Sequence, residues 1–344
     1  MQTTWFLKIR LPFPKVRSFK PGGHLDSEEL IQRNTRKALA TMNMLSSVGV
    51  NPSGFSKVLG TKFYAHIVRP QLEHGLAINR FTVSQLHALE EAQNSCIKKT
   101  YGARGKASTK VMLHISKLPL MSERVSILQA QFLFRSLYLP EDALLACLLP
   151  YIRNTKGSQW YALSRTALWK TVLSTTEELD TRSLKAAKRR FLQQNLESRQ
   201  GCRNSKLISS CCRSISLDPI LWLPMSKSER SRCIRWRLGW LPGGKPRPCP
   251  KHPTQQLSKN HAISCLDMHR RLLMPETIRD PLSFLLNMLP LRPSVPANLA
   301  LTWSQRWPII CSLLHELDQL HHNKLIPTKY PHGQKLLVWL NQFI

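Results

Sequence analysis

Apolar residues recur at helical spacing along most of this chain. Leu30, Asn34, Ala38, Met42 and Leu45 mark one face of a first helix. Asp26 or Ser27 can cap it, Glu28 and Glu29 sit where the helix dipole favours acid, and Gly49 suits the C′ position. Arg33, Arg36 and Lys37 lie mostly off that stripe. A second helix is predicted from about Pro52 to Val68, with Asn51 as cap and Val58, Leu59, Phe63 and Ile67 facing inward. Arg69-Pro70 ends it, and Leu72, Leu76 and Ile78 continue into a shorter helix or turn. A third helix runs from Thr82 or Ser84 to Tyr101, with Leu86, Leu89, Ala92 (or Gln93) and Cys96 on one side. Further helices are predicted over 108–115, 122–138 and 141–152, and Gly102 and Gly105 flank a basic loop, 98–110. No alternation of the kind that marks strands and hairpins appears in this half.

From about residue 154 to 226 apolar residues thin out. Arg182, Lys185, Lys188, Arg189, Arg190, Arg199, Arg203, Lys206 and Arg213 crowd in. A helix over 181–196 still has Leu184, Ala187, Phe191 (or Lys188) and Leu192 to pack, and a mobile linker is expected after Gly201. After Pro275 the chain is helical again, interrupted at Pro290, Pro293 and Pro296. Trp303, Trp307, Ile310, Leu313, Leu314 and Leu317 share a face, and a short last helix spans 336–343. The expected fold class is therefore mainly α. Its parts are an irregular N-terminus (1–18), a helical bundle (19–152), a basic helical region and linker (153–226), a small basic-aromatic Cys/His unit (227–275) and a helical tail (276–344).

Charge changes this picture most. Fifty Lys and Arg against 20 Asp and Glu give a formal net charge of +30 in 344 residues. Such an excess repels itself in a compact molecule and is best explained by an anionic partner. Nucleic acid is the first candidate, because phosphate neutralisation releases counterions at many Lys and Arg together. A membrane surface comes second, and an unexceptional basic protein is the plain alternative. The 42% hydrophobic share supports real cores. No apolar run approaches the ~18 residues needed to span a bilayer; the longest, 282–291, contains Asn287 and Pro290. The nine cysteines show no regular spacing, and Lys8 and Arg10 interrupt any apolar leader. Reduced thiols and an intracellular, nuclear rather than cytoplasmic, location are expected.

Chemistry concentrates in one stretch. Cys249 and His252 form one close pair, His261 and Cys265 a second, with a polar loop between. Zn²⁺ takes four N/S ligands in a tetrahedron, which a knuckle followed by a turn of helix can supply. A chance cluster is the competing reading, and His269 is a rival fourth ligand. Just upstream, Arg230, Arg232, Arg235 and Arg237 alternate with Cys233, Ile234 and Trp236. The arginines suit phosphate. Trp236 and Trp240 either stack on unpaired bases or belong to a core, the core being favoured. The cluster Lys185, Lys188, Arg189 and Arg190 reads as nucleic-acid contact, a nuclear import signal or a solvated helix face.

Five segments carry a family resemblance: FKPGGHLD (19–26), NTRKALATMNMLSSVGVNP (34–52), YAHIVRPQLEHGLAI (64–78), STKVMLHI (108–115) and LPLMSERVSILQAQFLFRS (118–136). They resemble the region just after the catalytic palm of fungal non-LTR (LINE-like) retrotransposon reverse transcriptases. Trp236 through Pro242, with Cys249, His252, His261 and Cys265, resembles the terminal knuckle of that family. The likeness spans about 19–265; residues 1–18 depart from it. It implies a thumb-like bundle that holds a template–primer duplex, and a knuckle that grips template RNA or target DNA.

The catalytic residues of that family do not carry over. Its chemistry uses paired carboxylates on two Mg²⁺ ions, but no two of the seven aspartates here are adjacent, so no Mg²⁺ site is identifiable. A truncated, non-catalytic reading frame is the expectation. A zincin fails because His321 follows His315 by six residues, about 240° around a helix. A restriction-like nuclease fails because no Asp-x-Lys or Glu-x-Lys occurs. The paired glycines 22–23 and 243–244 lack the strand-loop-helix context of a phosphate cradle. The alternatives are a protein–protein adaptor, docking through its apolar stripes onto a partner such as an intact reverse transcriptase or its palm, and an inert product without selected function.

Overall fold

The structure, a computed structural model, describes residues 26–103, 107–175, 179–202, 205–239, 247–328 and 330–344. The expected irregular N-terminus, Trp240, Arg203, Gly105 and the paired glycines 22–23 and 243–244 lie outside them. The fold is mainly α, as the periodicity predicted, with one two-stranded hairpin among the described residues.

Local chemistry sets the first helices. Helix α1 (Ser27–Ser47) is capped by Asp26, which accepts from Glu28 N at 2.9 Å, and it ends before Gly49 at φ 114°. Its buried Asn34 donates to the carbonyls of Leu72 (3.3 Å) and His74 (2.7 Å). The predicted second helix starts later than Pro52. Asn51 instead closes a turn, accepting from Ser53 N and Gly54 N, so Ser56 becomes the cap of α2 (Lys57–Phe63). Nor does Pro70 end the helix. A π turn (Tyr64–Val68) widens the backbone where the proline ring needs room, and α3 (Arg69–Glu73) follows directly. Thr82 and Gln85 form a capping box on α4 (Val83–Tyr101). Buried Gln93 links Tyr64 Oη (2.8 Å) to the Pro119 carbonyl (3.2 Å).

After α5 (Thr109–Ile115), helix α6 (Met121–Ser136) divides two cores. Met121 and Val125 join the first, with α1, α4 and α5. Ile127, Ala130 and Leu133 join a second with Trp160, Leu163, Trp169, Val172 and Ala187. These come from α8 (Gln159–Ser164), α9 (Ala167–Thr175) and α10 (Thr181–Gly201). Between α6 and α8, α7 (Leu144–Ile152) has no fully buried residue.

The stretch expected to be a mobile linker is packed. After α11 (Lys206–Ser209), Cys211, Ile220, Leu221, Leu223 and Met225 are buried in the first core together with Ile208. Asp218 N donates to the Ile115 carbonyl at 2.9 Å. Ser226 and Glu229 cap α12 (Lys227–Arg237). Strands β1 (Pro248–Cys249) and β2 (His252–Gln256) pair antiparallel. Then come α13 (Lys259–Cys265), α14 (Met268–Arg271) and α15 (Pro281–Asn287). Helix α16 (Ala297–His322) buries Trp303 and Trp307, and α17 (Gln334–Leu340) packs on it. The first core thus runs from Leu30 to Val125 and resumes from Leu196 to Leu340, so residues 19–152 do not enclose a core of their own.

Candidate metal centre and basic surfaces

The hairpin turn places Cys249 opposite His252 in register. Ser258 caps α13 by accepting from His261 N at 3.1 Å, and the next turn of that helix brings His261 and Cys265, four apart, to one face. Buried Leu257, Ala262, Ile263 and Leu266 anchor both elements to the core. The four ligand atoms lie within 4.8 Å of one another. Cys249 Sγ is 3.7 Å from Cys265 Sγ and 3.9 Å from His252 Nδ1, and the two imidazoles meet edge to face at 5.1 Å.

Those spacings are compatible with the edges of a metal tetrahedron. Metal–sulfur bonds of about 2.3 Å give an S···S edge of about 3.8 Å. Cys249 is fully buried, and His261 Nε2 is buried with no hydrogen-bond partner, a donor set that fits a bound cation. Burial and the neighbouring Cys249 thiol raise the Cys265 pKa. This Cys2His2 cluster can hold a metal ion, with Zn²⁺ the expected one. Protein groups would fill all four positions, the pattern of a structural rather than a catalytic site. His269 is not part of the cluster, whose converging ligand atoms come from Cys249, His252, His261 and Cys265; its Nε2 bonds the Ile278 carbonyl at 2.8 Å.

The basic-aromatic segment has a different role from the one its composition suggested. Arg230 donates to the carbonyls of Ile220 (2.6 Å) and Leu223 (2.7 Å), and burial lowers its pKa. Arg232 and Arg235 converge on Asp318, at 2.6 and 3.1 Å. Arg237 is fully buried, 3.3 Å from Asp218, and also donates to the Ser210 and Ser283 carbonyls. Trp236 is a core residue whose Nε1 reaches Ser283 Oγ at 3.1 Å, and Lys259 lies over its ring. The structure thus gives Arg237 an internal position, buried beside Asp218, and engages the partly buried Arg230 with two carbonyls, where composition had suggested phosphate contact. Arg232 and Arg235 are bound to one nearly buried carboxylate, and Trp236 has no exposed face for a base to stack on.

Helix α10 is the contrast. Asp180 caps it, and Arg182, Lys185, Arg189 and Gln193 form one stripe, with Arg190 beside it. Lys185, Arg189 and Arg190 are exposed and form no ion pair among the described residues. Like charges at this spacing repel along the helix. Lys188 alone among the four turns inward and is half-buried near Arg124 and Arg69. The helical period offers Lys188 as well as Phe191 for the packed face, and the structure turns Lys188 inward while Lys185, Arg189 and Arg190 stay outside.

No family model matches this chain, and no curated protein or solved structure is significantly similar to it. Among the described residues no helix is long and apolar enough to cross a membrane.

Proposed function

We propose that this protein binds RNA or DNA backbone through the outer face of α10, without catalysis of its own, while zinc at Cys249, His252, His261 and Cys265 fixes the hairpin against α13. The reading agrees with the resemblance to the post-palm region of LINE-type reverse transcriptases. One observation carries it: Lys185, Arg189 and Arg190 stand exposed and form no ion pair among the described residues, whereas the arginines of α12 are held by the protein's own carboxylates and carbonyls. Cations left unpaired on a chain of +30 favour a polyanion.

The test is strand binding at several salt concentrations. Each phosphate contact contributes about 0.7–0.9 to the slope of log affinity against log salt. Reversing Lys185, Arg189 and Arg190 to Glu is expected to weaken binding and to lower the slope by at least about 2. Unchanged affinity and slope would remove α10 from the interface. The adaptor reading has one observation in its favour: on α7, Leu144 is 76% and Tyr151 is 75% exposed. A weak strand signal that does not vary with salt, in the wild-type protein, would favour that alternative.

A further inference from the structure

A second feature of α10 faces inward. Between α3, the end of α5, the start of α6 and α10 lies a cleft of about 270 Å³. Its floor is apolar, formed by Leu113, Leu118, Ile127, Leu192 and Leu196. Its polar side is a group of cations short of carboxylates. Glu73 gives both oxygens to Arg124, at 2.5 and 2.9 Å. Arg69 is left beside the same carboxylate at 3.2 Å, with its Nε buried and making no hydrogen bond. Lys188 joins them and forms no hydrogen bond or ion pair among the described residues; burial, then Arg124 and Arg69, lower its pKa. Three cations thus share one carboxylate, leaving two positive charges inside a partly desolvated cleft. Arg199 and Glu123 on the opposite wall neutralise each other.

The mouth carries a second sign of function. Lys117 closes α5 at φ 57°, in the left-handed region that a helix C-terminus ordinarily gives to glycine. Its N–H bonds the His114 carbonyl, and Leu118 N–H bonds the Leu113 carbonyl. A lysine held in this strained position puts an exposed ammonium at the rim, near Lys110.

We infer that this cleft is a binding site for a phosphomonoester carried on a single apolar or aromatic ring system. The head group would lie against Arg69, Arg124 and Lys188 and the ring on the leucine floor. A phosphomonoester carries about −1.5 to −2 charges at neutral pH and three acceptor oxygens, enough to engage Arg69, Arg124 and Lys188 together beneath the lysines of the mouth, whereas a carboxylate supplies one charge and two oxygens. At about 270 Å³ the cleft is near the small end of ligand sites, with room for one small molecule but not for a duplex. The site lies on the inner side of α10 and does not depend on strand binding by the outer face. Two sources offer this chemistry, a free mononucleotide and the terminal phosphate of a nucleic-acid strand.

Isothermal titration of the full chain with adenosine monophosphate tests it. Saturable binding is expected, about tenfold or more tighter than inorganic phosphate or adenosine alone. Lys188→Met should weaken it about tenfold or more, while Lys37→Met, the same charge change on α1, should leave it within about twofold. Lys117→Gly gives an independent check: it should raise the melting temperature by relieving the left-handed backbone, yet weaken binding. Absence of saturation, equal affinity for inorganic phosphate, or wild-type affinity in a folded Lys188→Met protein would overturn the assignment. Competition then separates the sources. A 5′-phosphorylated strand that displaces the nucleotide where its 5′-hydroxyl counterpart does not assigns the site to strand ends. Retention of the nucleotide against both assigns it to free mononucleotides. Equal displacement by both strands would overturn the phosphomonoester reading.

Discussion

Replacing Arg237 separates a phosphate-binding arginine from a structural one. Its guanidinium has no solvent exposure, lies 3.3 Å from the Asp218 carboxylate, and donates to the carbonyls of Ser210 and Ser283. Arg237→Met keeps much of the side-chain volume but removes the charge and the donors. Asp218 is then left as a nearly buried, unpaired carboxylate, and two carbonyls lose a donor. Breaking one side of a buried ion pair costs about 3–5 kcal/mol, because the remaining charge is stranded. Urea unfolding followed by circular dichroism should show a loss of stability of that size, read as a lower midpoint at unchanged m-value. Adding Asp218→Asn should recover part of the loss, since no charge then remains buried. Asp218 also caps the turn before Trp222, accepting from Ile220 N, a bond that Asn can still make. Nucleic-acid binding, measured where the variant is folded, should keep its salt slope. A loss below about 1 kcal/mol, combined with a slope lower by about 0.9, would refute the structural role and restore Arg237 as a phosphate contact.

Other expectations concern the metal and pH. Metal analysis of the purified protein should find zinc in a 1:1 ratio, and Cys265→Ser should lower zinc affinity by more than the roughly 100-fold lost with an outer partner; a metal-free, equally stable wild type would sink the knuckle. Lys57 has its pKa lowered to about 8 by burial and then by Lys227, below its ordinary 10.5. The unfolded chain therefore binds more protons between those values, so stability should rise as pH goes from about 8 to 10.5. Because the group is partly exposed, the rise should be about 1 kcal/mol, and Lys57→Met should abolish it in urea titrations at pH 7.5 and about 10. The same slope in the variant would assign the rise to another group.

What could be read in the sequence was what depends on near neighbours. Asp26, Thr82 and Gly49 act within one turn of chain, so α1 and α4 were legible almost to the residue. The metal cluster was legible for the same reason, since each pair of ligands lies within one turn and the structure only has to bring two pairs together. Long-range pairing was not. Arg232 and Arg235 find Asp318 more than eighty residues downstream, and nothing around α12 signals that partner. Ile208, Ile220, Leu221 and Leu223 are too sparse to form a period, so their stretch looked like linker although the core encloses them. The hairpin escaped notice because β1 has two residues. Pro70 misled because a π turn can relieve what an α-helix cannot.

The ion pairs also explain where the charge goes. The chain has 20 carboxylate side chains, and several are held inside by arginines: Asp218, Asp318, Glu73 and Glu123 are all partly or fully buried with theirs. Each such pair removes one acid from the surface and uses an arginine whose role is packing. Part of the excess of +30 is therefore left with exposed groups such as those of α10, which no carboxylate balances among the described residues. Self-repulsion among them opposes folding of the free protein, and added salt screens it. The same salt weakens attachment to a polyanion, because counterion release then gains less. Folding of the free chain and binding of the strand thus respond to salt in opposite senses. An arrangement that used its acids to balance the surface would show neither response strongly.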